Sequence, residues 1–181
     1  MKVFKLIATL LDYPDDDFLA ELRAALGETG AAGLVAAADE SEILDNIERA
    51  TVARFIECIA GRDALELQGD YVREFDMTAE HSLHLTHHLF GEEKTRGPAL
   101  IDLSEFYRSH GLVVDERELP DYLPVMLEFA SALSLEEASV FLCEIRKVLT
   151  VLADNLEKSG SAYAPLVRIV ENHASLTRLA A

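Results

Sequence analysis

Behind Ser134 the chain keeps one apolar rhythm for about four turns. Ala138, Phe141, Leu142, Ile145, Val148, Leu149 and Leu152 recur there at i, i+3, i+4 and i+7. Side chains at that spacing share a face only if the backbone winds about 3.6 residues per turn, so the stretch predicts a helix with one buried side. Ser134 followed by Glu137 starts it as a capping box, each side chain satisfying a backbone N–H that the first turn leaves unpaired. Nowhere does the chain offer the opposing rhythm, a run of β-branched alternation between turn signals. The predicted class is all-α.

The remaining segments fit that class. Lys2–Leu11 predicts a first helix with Phe4, Ile7 and Leu11 on one face, stopped by Pro14. Asp15 is placed to cap a second helix carrying Phe18, Leu19, Leu22 and Leu26, with Gly27 closing it. The small, alanine-rich stretch Gly30–Asp39 reads as a loop or a weak helix. Glu40–Ala60 predicts a longer helix with Leu44, Ile47, Phe55, Cys58 and Ile59 inward, and Asp63–Phe75 another with Leu65, Tyr71, Val72 and Phe75. A last helix is expected over Ser161–Leu179. Without repeats or low-complexity linkers, residues 1–181 are expected to form one single-domain helical bundle.

Charge narrows the partners. Thirty-three acidic residues against sixteen basic ones leave a net −17, which disfavours nucleic acid and anionic membranes and favours a basic partner. Cys58 and Cys143 form no CxxC pair, which fits a reducing compartment. The apolar opening meets Asp12 and three further aspartates before any small-residue cleavage site, and no apolar run is long enough to cross a bilayer. A cytoplasmic protein without stable membrane association is expected.

The chemistry-bearing residues concentrate in Gly69–Pro124. His81, His84 and His88 fall at i, i+3 and i+7, so on a continuous helix their rings share a face, as metal ligands would. The segment has no cysteine and no HExxH pattern, and His87 diverges from that face by about 100°. Ser82 lies near His81 and Asp76 without a nucleophile elbow, and Gly91 and Gly97 are isolated rather than part of a phosphate loop. No catalytic residue, metal or cofactor is expected. Tyr71, Phe75, Leu83, Leu89, Phe90, Leu119, Tyr122 and Leu123 instead lie among helix-breaking Gly91, Gly97, Pro98, Pro120 and Pro124. Acids including Asp70, Asp76, Asp121 and Glu128 surround them. An apolar groove rimmed with carboxylates suits an amphipathic basic helix.

Several blocks in order also carry a family resemblance. Tyr71-x-x-x-Phe75-Asp76, Ser82–Gly91, Arg96–Leu103 and Glu118–Pro124 with Leu127-Glu128-Phe129 behind, together with the opening Leu11-Asp12-Tyr13-Pro14, resemble the NarJ chaperones of respiratory nitrate reductase assembly. These belong to the wider TorD-like group of all-helical molybdoenzyme chaperones. The resemblance implies a TorD/NarJ-like fold and a non-catalytic assembly factor. Such a factor binds the N-terminal segment of the apo catalytic (alpha) subunit of nitrate reductase and assists molybdenum cofactor and iron–sulfur insertion before membrane docking. On this reading Tyr71, Phe75, Leu83, Leu119, Tyr122 and Leu123 are candidate groove anchors, and Asp76, Asp121 and Glu128 candidate partners for the peptide's basic residues. Arg96, beside a glycine-proline turn, is expected to pin a loop by pairing with a carboxylate. The alternatives are a chaperone for an N-oxide or sulfoxide reductase and a metal-dependent enzyme built on the His81–His88 cluster.

Overall fold

The computed structural model describes residues 2–90, 95–115 and 117–174. Helix α1 (Lys2–Leu11) buries Val3, Phe4, Ile7, Ala8, Leu10 and Leu11 and leaves Lys2, Lys5 and Thr9 on one exposed face. Around it pack α2 (Asp16–Ala38), α7 (Leu123–Ala132) and α9 (Ala164–His173). Tyr122 at the head of α7 touches Asp12 at the foot of α1, so these two helices run in opposite directions.

Asp15 caps α2 by accepting from the Phe18 N–H, as predicted. Gly27 does not close that helix. The break comes at Gly30, whose φ of 70° and ψ of 164° lie in a region only glycine enters readily, and helix resumes to Ala38. The following turn is held by buried Asp39, which accepts from the Ile43 and Leu44 N–H groups and from Arg49 Nε at 2.8 Å. Because that turn consumes residues 40–45, α3 spans only Asn46–Ala60, opened by the capping box of Asp45 and Glu48. Val52, Phe55, Ile56 and Ile59 form its inner face, while Ile47 and Cys58, expected inward, face solvent.

Helix α4 (Ala64–Tyr71), capped by Asp63, widens into a π-helical turn over Val72–Asp76. The extra residue in that turn carries Phe75 into the core beside Tyr71 and Tyr163. Leu65 is exposed, against expectation. A 3-10 turn (Ala79–His81), short α5 (Leu85–Phe90) and α6 (Arg96–Ser109) lead towards α7.

The predicted capping box at Ser134 opens α8 (Leu135–Ser159), and Gly160 ends it in the left-handed conformation that allows the chain to reverse into α9. Arg168 clips the pair together through Asp154 at 2.6 Å, Glu157 at 2.9 Å and Glu171 at 2.8 Å. The expected tail of the last helix, and Gly91 in the central segment, lie outside the described residues. Among the described residues the architecture is all-helical, and no helix is long and apolar enough to cross a membrane.

Candidate functional site

The histidine segment does not form one helix. His81 ends the 3-10 turn, Ser82–His84 are extended or bent, and α5 begins only at Leu85, so the three rings have separate surroundings. His81 Nδ1 lies 3.0 Å from Glu74 Oε1 but off the line of a hydrogen bond. His84 Nδ1 faces Asp121 at 3.3 Å, and His88 Nε2 donates to the Ser82 carbonyl at 2.7 Å. Burial pushes the His88 imidazole below its ordinary range. Among the described residues no three His, Cys, Asp or Glu side chains gather as metal ligands.

What the segment builds is a crossing. The Leu85 N–H donates to the Asp121 carbonyl at 2.9 Å and the Leu123 N–H to the Leu83 carbonyl at 2.8 Å, a single antiparallel bridge that fixes the entry to α7. Beneath it the Asp121 carboxylate is fully buried. Burial alone would raise its pKa, but hydrogen bonds from His84 and Thr86 and the charge of Arg96 outweigh that and hold it at about 2. Arg96 thus pins this loop, as its position beside Gly97-Pro98 predicts.

Next to the crossing lies a cavity of about 600 Å³ between α1, α7 and the strand of chain joining α6 to α7. Tyr107, Tyr122, Pro124 and Phe129 give it an apolar wall; the Tyr107 hydroxyl is turned away to donate to the Pro120 carbonyl at 2.7 Å. Asp12, Asp115, Glu118 and Glu128 stand on its rim, with Lys5 as the basic side chain among the described lining residues. Asp115 is held at about 2 by its neighbour Arg117.

Tyr122 connects this cavity to the core. Its hydroxyl donates to Asp12 Oδ1 at 3.0 Å and lies 2.9 Å from the Tyr71 hydroxyl, which donates to the Leu11 carbonyl at 2.9 Å. Burial above all pushes both phenols well above their ordinary range, so both keep their protons.

Set against the predicted site residues, the structure divides them. Tyr122 and Glu128 line the cavity, and Leu119 is exposed next to Glu118 on its rim. Tyr71, Phe75, Leu83 and Leu123 are buried in the core rather than presented to a ligand. Asp121, expected to face a peptide's cation, is matched internally by His84, Thr86 and Arg96. Asp76 is exposed at the end of the π-helical turn and does not line the cavity. The α1 contribution of Lys5, Ala8, Thr9 and Asp12 was missed. Its sequence signal was the polar face formed by Lys5, Thr9 and Asp12 at spacings of four and three.

The sequence pattern of the nitrate reductase delta subunit family matches residues 40–168. The probable nitrate reductase molybdenum cofactor assembly chaperone NarJ of Bacillus subtilis is 34% identical over 174 residues, which are 92% of this chain and 85% of that protein. The Escherichia coli nitrate reductase molybdenum cofactor assembly chaperone NarJ is 34% identical over 161 residues, and the probable chaperone NarW of the same organism 30% identical over 166. This chain spans just under two thirds of each of those two proteins, 64% and 65%.

Proposed function

Since the chain belongs to the nitrate reductase delta subunit family, we propose that it is a dedicated chaperone for respiratory nitrate reductase. It binds the N-terminal segment of the apo catalytic subunit in the cytoplasm and keeps that subunit open to molybdenum cofactor and iron–sulfur insertion before membrane docking. The cofactor is cargo for the client; the chaperone performs no chemistry of its own.

The observation that carries the peptide-binding part is the apolar cavity with its rim of Asp12, Asp115, Glu118 and Glu128. An amphipathic helix places anchors at i, i+3 and i+4 on such a wall and its lysines or arginines against such a rim. Tyr122, Leu119 and Glu128 are the predicted site residues positioned to meet it. The buried residues Tyr71, Leu83, Asp121 and Leu123 serve the site by fixing its wall.

Ordering the peptide into a helix consumes part of the contact energy, so affinity is moderate and release is compatible with a folding client. The test is calorimetric titration with a peptide copying about the first fifteen residues of the catalytic subunit, roughly four helical turns. A twin-arginine peptide from an unrelated molybdoenzyme is the control. Saturable binding to the first alone supports a dedicated chaperone. Equal binding to both makes it a general molybdoenzyme chaperone, and binding to neither removes the peptide-recognition reading.

A further inference from the structure

The hydroxyls linking the cavity to the core are one proton short. Three oxygen–oxygen contacts of 2.9 to 3.0 Å run from the Leu11 carbonyl through Tyr71 and Tyr122 to Asp12 Oδ1, and the two phenols supply only two protons. With both protons turned outward, to Leu11 and to Asp12, the phenol oxygens face each other lone pair to lone pair. If Tyr122 turns its proton to Tyr71, Asp12 Oδ1 loses that donor. If Tyr71 turns its proton to Tyr122, the last carbonyl of α1 is left without it inside the core, where an unmatched acceptor is costly. A donor arriving from the cavity side relieves the shortage when it reaches both the Tyr122 oxygen and Asp12, whose Oδ1 otherwise keeps the Tyr13 N–H. Asp12 is the member of the chain that can receive one, because it is exposed and lines the cavity.

The charges around the cavity are also uneven along its length. Asp12 and Glu118 gather where α1 ends and α7 begins, near Tyr122, while Asp115 is paired with Arg117. About two helical turns back on α1 stands Lys5, near the level that Glu128 reaches on the opposed α7. One end of the groove is therefore acidic and the other close to neutral.

We propose that Asp12 is the cation anchor of the groove. It takes a guanidinium or ammonium group of a bound basic peptide, frees the Tyr122 proton for Tyr71, and so fixes the direction in which the peptide lies, basic end towards Asp12. The proposal rests on the groove being the recognition site. With the anchor filled by a group that donates to both Asp12 and the Tyr122 oxygen, each oxygen from the Leu11 carbonyl through Tyr71 and Tyr122 to Asp12 has its own donor.

The experiment is a cycle of two proteins and two peptides. Asp12→Asn keeps an acceptor for the Tyr13 N–H and the Tyr122 hydroxyl and removes only the charge. The probes are the client peptide described above and the same peptide with its arginines and lysines replaced by citrulline and norleucine. Wild type is expected to lose about tenfold in affinity when the peptide's charges are removed, and Asp12→Asn to lose about threefold for the charged peptide but little for the neutral one. Lys5→Gln, at the other end, leaves the charged peptide's affinity within about twofold. Equal losses by Asp12→Asn for both peptides, or no loss for either, overturn the anchor while leaving the groove. If wild type binds neither peptide, the groove reading and the anchor fall together.

Discussion

Arg96 Nη2 lies 3.4 Å from Asp121 Oδ2, while Arg96 Nε donates at 3.0 Å to Thr86 Oγ1, which itself donates to the same carboxylate oxygen. One guanidinium, one hydroxyl and one carboxylate therefore close a small ring joining the first residue of α6, the start of α5 and the entry to α7. The apolar wall beside the cavity is set by this ring, because Tyr122 follows Asp121 directly and its ring packs tilted against that of His84 at 5.1 Å.

Asp121→Asn is expected to destabilise the fold by about 3 kcal/mol, since it leaves Arg96 partly buried without its charge partner. The wild-type carboxyl is lowered from 3.8 to about 2. A depressed carboxyl contributes stability that is complete above its unfolded pKa, near 4, and lost as pH falls through its folded one. The contribution at stake is about 2 kcal/mol. In urea unfolding the gap between wild type and Asp121→Asn should be full at pH 6 and narrow by about 2 kcal/mol between about pH 4 and pH 2. A gap constant across that range would show that the charge of Asp121 is not what stabilises the crossing.

Tyr71→Phe removes a buried hydroxyl that serves the Leu11 carbonyl and meets Tyr122. The ring keeps its packing against Tyr13, Phe75 and Tyr163, so the loss is that of hydrogen bonding alone, about 1–2 kcal/mol. Tyr122→Phe should cost less, because its partner Asp12 is exposed and water can replace the phenol. Thermal unfolding of the two variants ranks them; a larger loss for Tyr122→Phe contradicts the assignment of Tyr71 as the structural member.

Gly27 and Gly30 of α2 separate what the sequence suggested from what the backbone does. Gly27 sits in regular helix with open space where a Cβ would go, so Gly27→Ala should stabilise by about 0.5–1 kcal/mol. Gly30 holds φ at 70°, so Gly30→Ala should destabilise by about 1–3 kcal/mol despite equally open space. Opposite signs in chemical denaturation are the expected result. A stabilising Gly30→Ala would place the helix break elsewhere.

How much of this was legible follows the range of the forces involved. Capping at Asp15 and Ser134, the limits of α1 and the pairing of Arg96 were readable, because each depends on neighbours within a turn or on one strong charge. The choice between Gly27 and Gly30 was not, since both are glycines near a helix end and only tertiary packing decides which bends. Ile47 and Cys58 were misplaced for a related reason: starting the helix at Glu40 instead of Asn46 shifted the inferred face, whose true members include Val52 and Ile56. In the central segment, aromatic residues among glycines and prolines look the same whether they form a core or a groove. Only the partners of Tyr71 and Asp121, from Leu11 and Arg96, show that those two face inward.

Glu118 and Glu128 are both exposed at the cavity, one before α7 and one on it. Their conversion together to glutamine should leave stability within about 0.5 kcal/mol, because neither side chain is buried. Binding of a basic peptide should weaken about three- to tenfold at low salt, where rim charges steer and hold a cationic ligand most strongly. The affinity of the double variant should also fall less steeply as salt rises, since fewer charge pairs remain to be screened. Titration calorimetry across a salt series reads both effects in one experiment. Unchanged affinity with an unchanged salt slope would mean that the rim is a solvated surface and that the cavity's apolar wall alone selects the ligand.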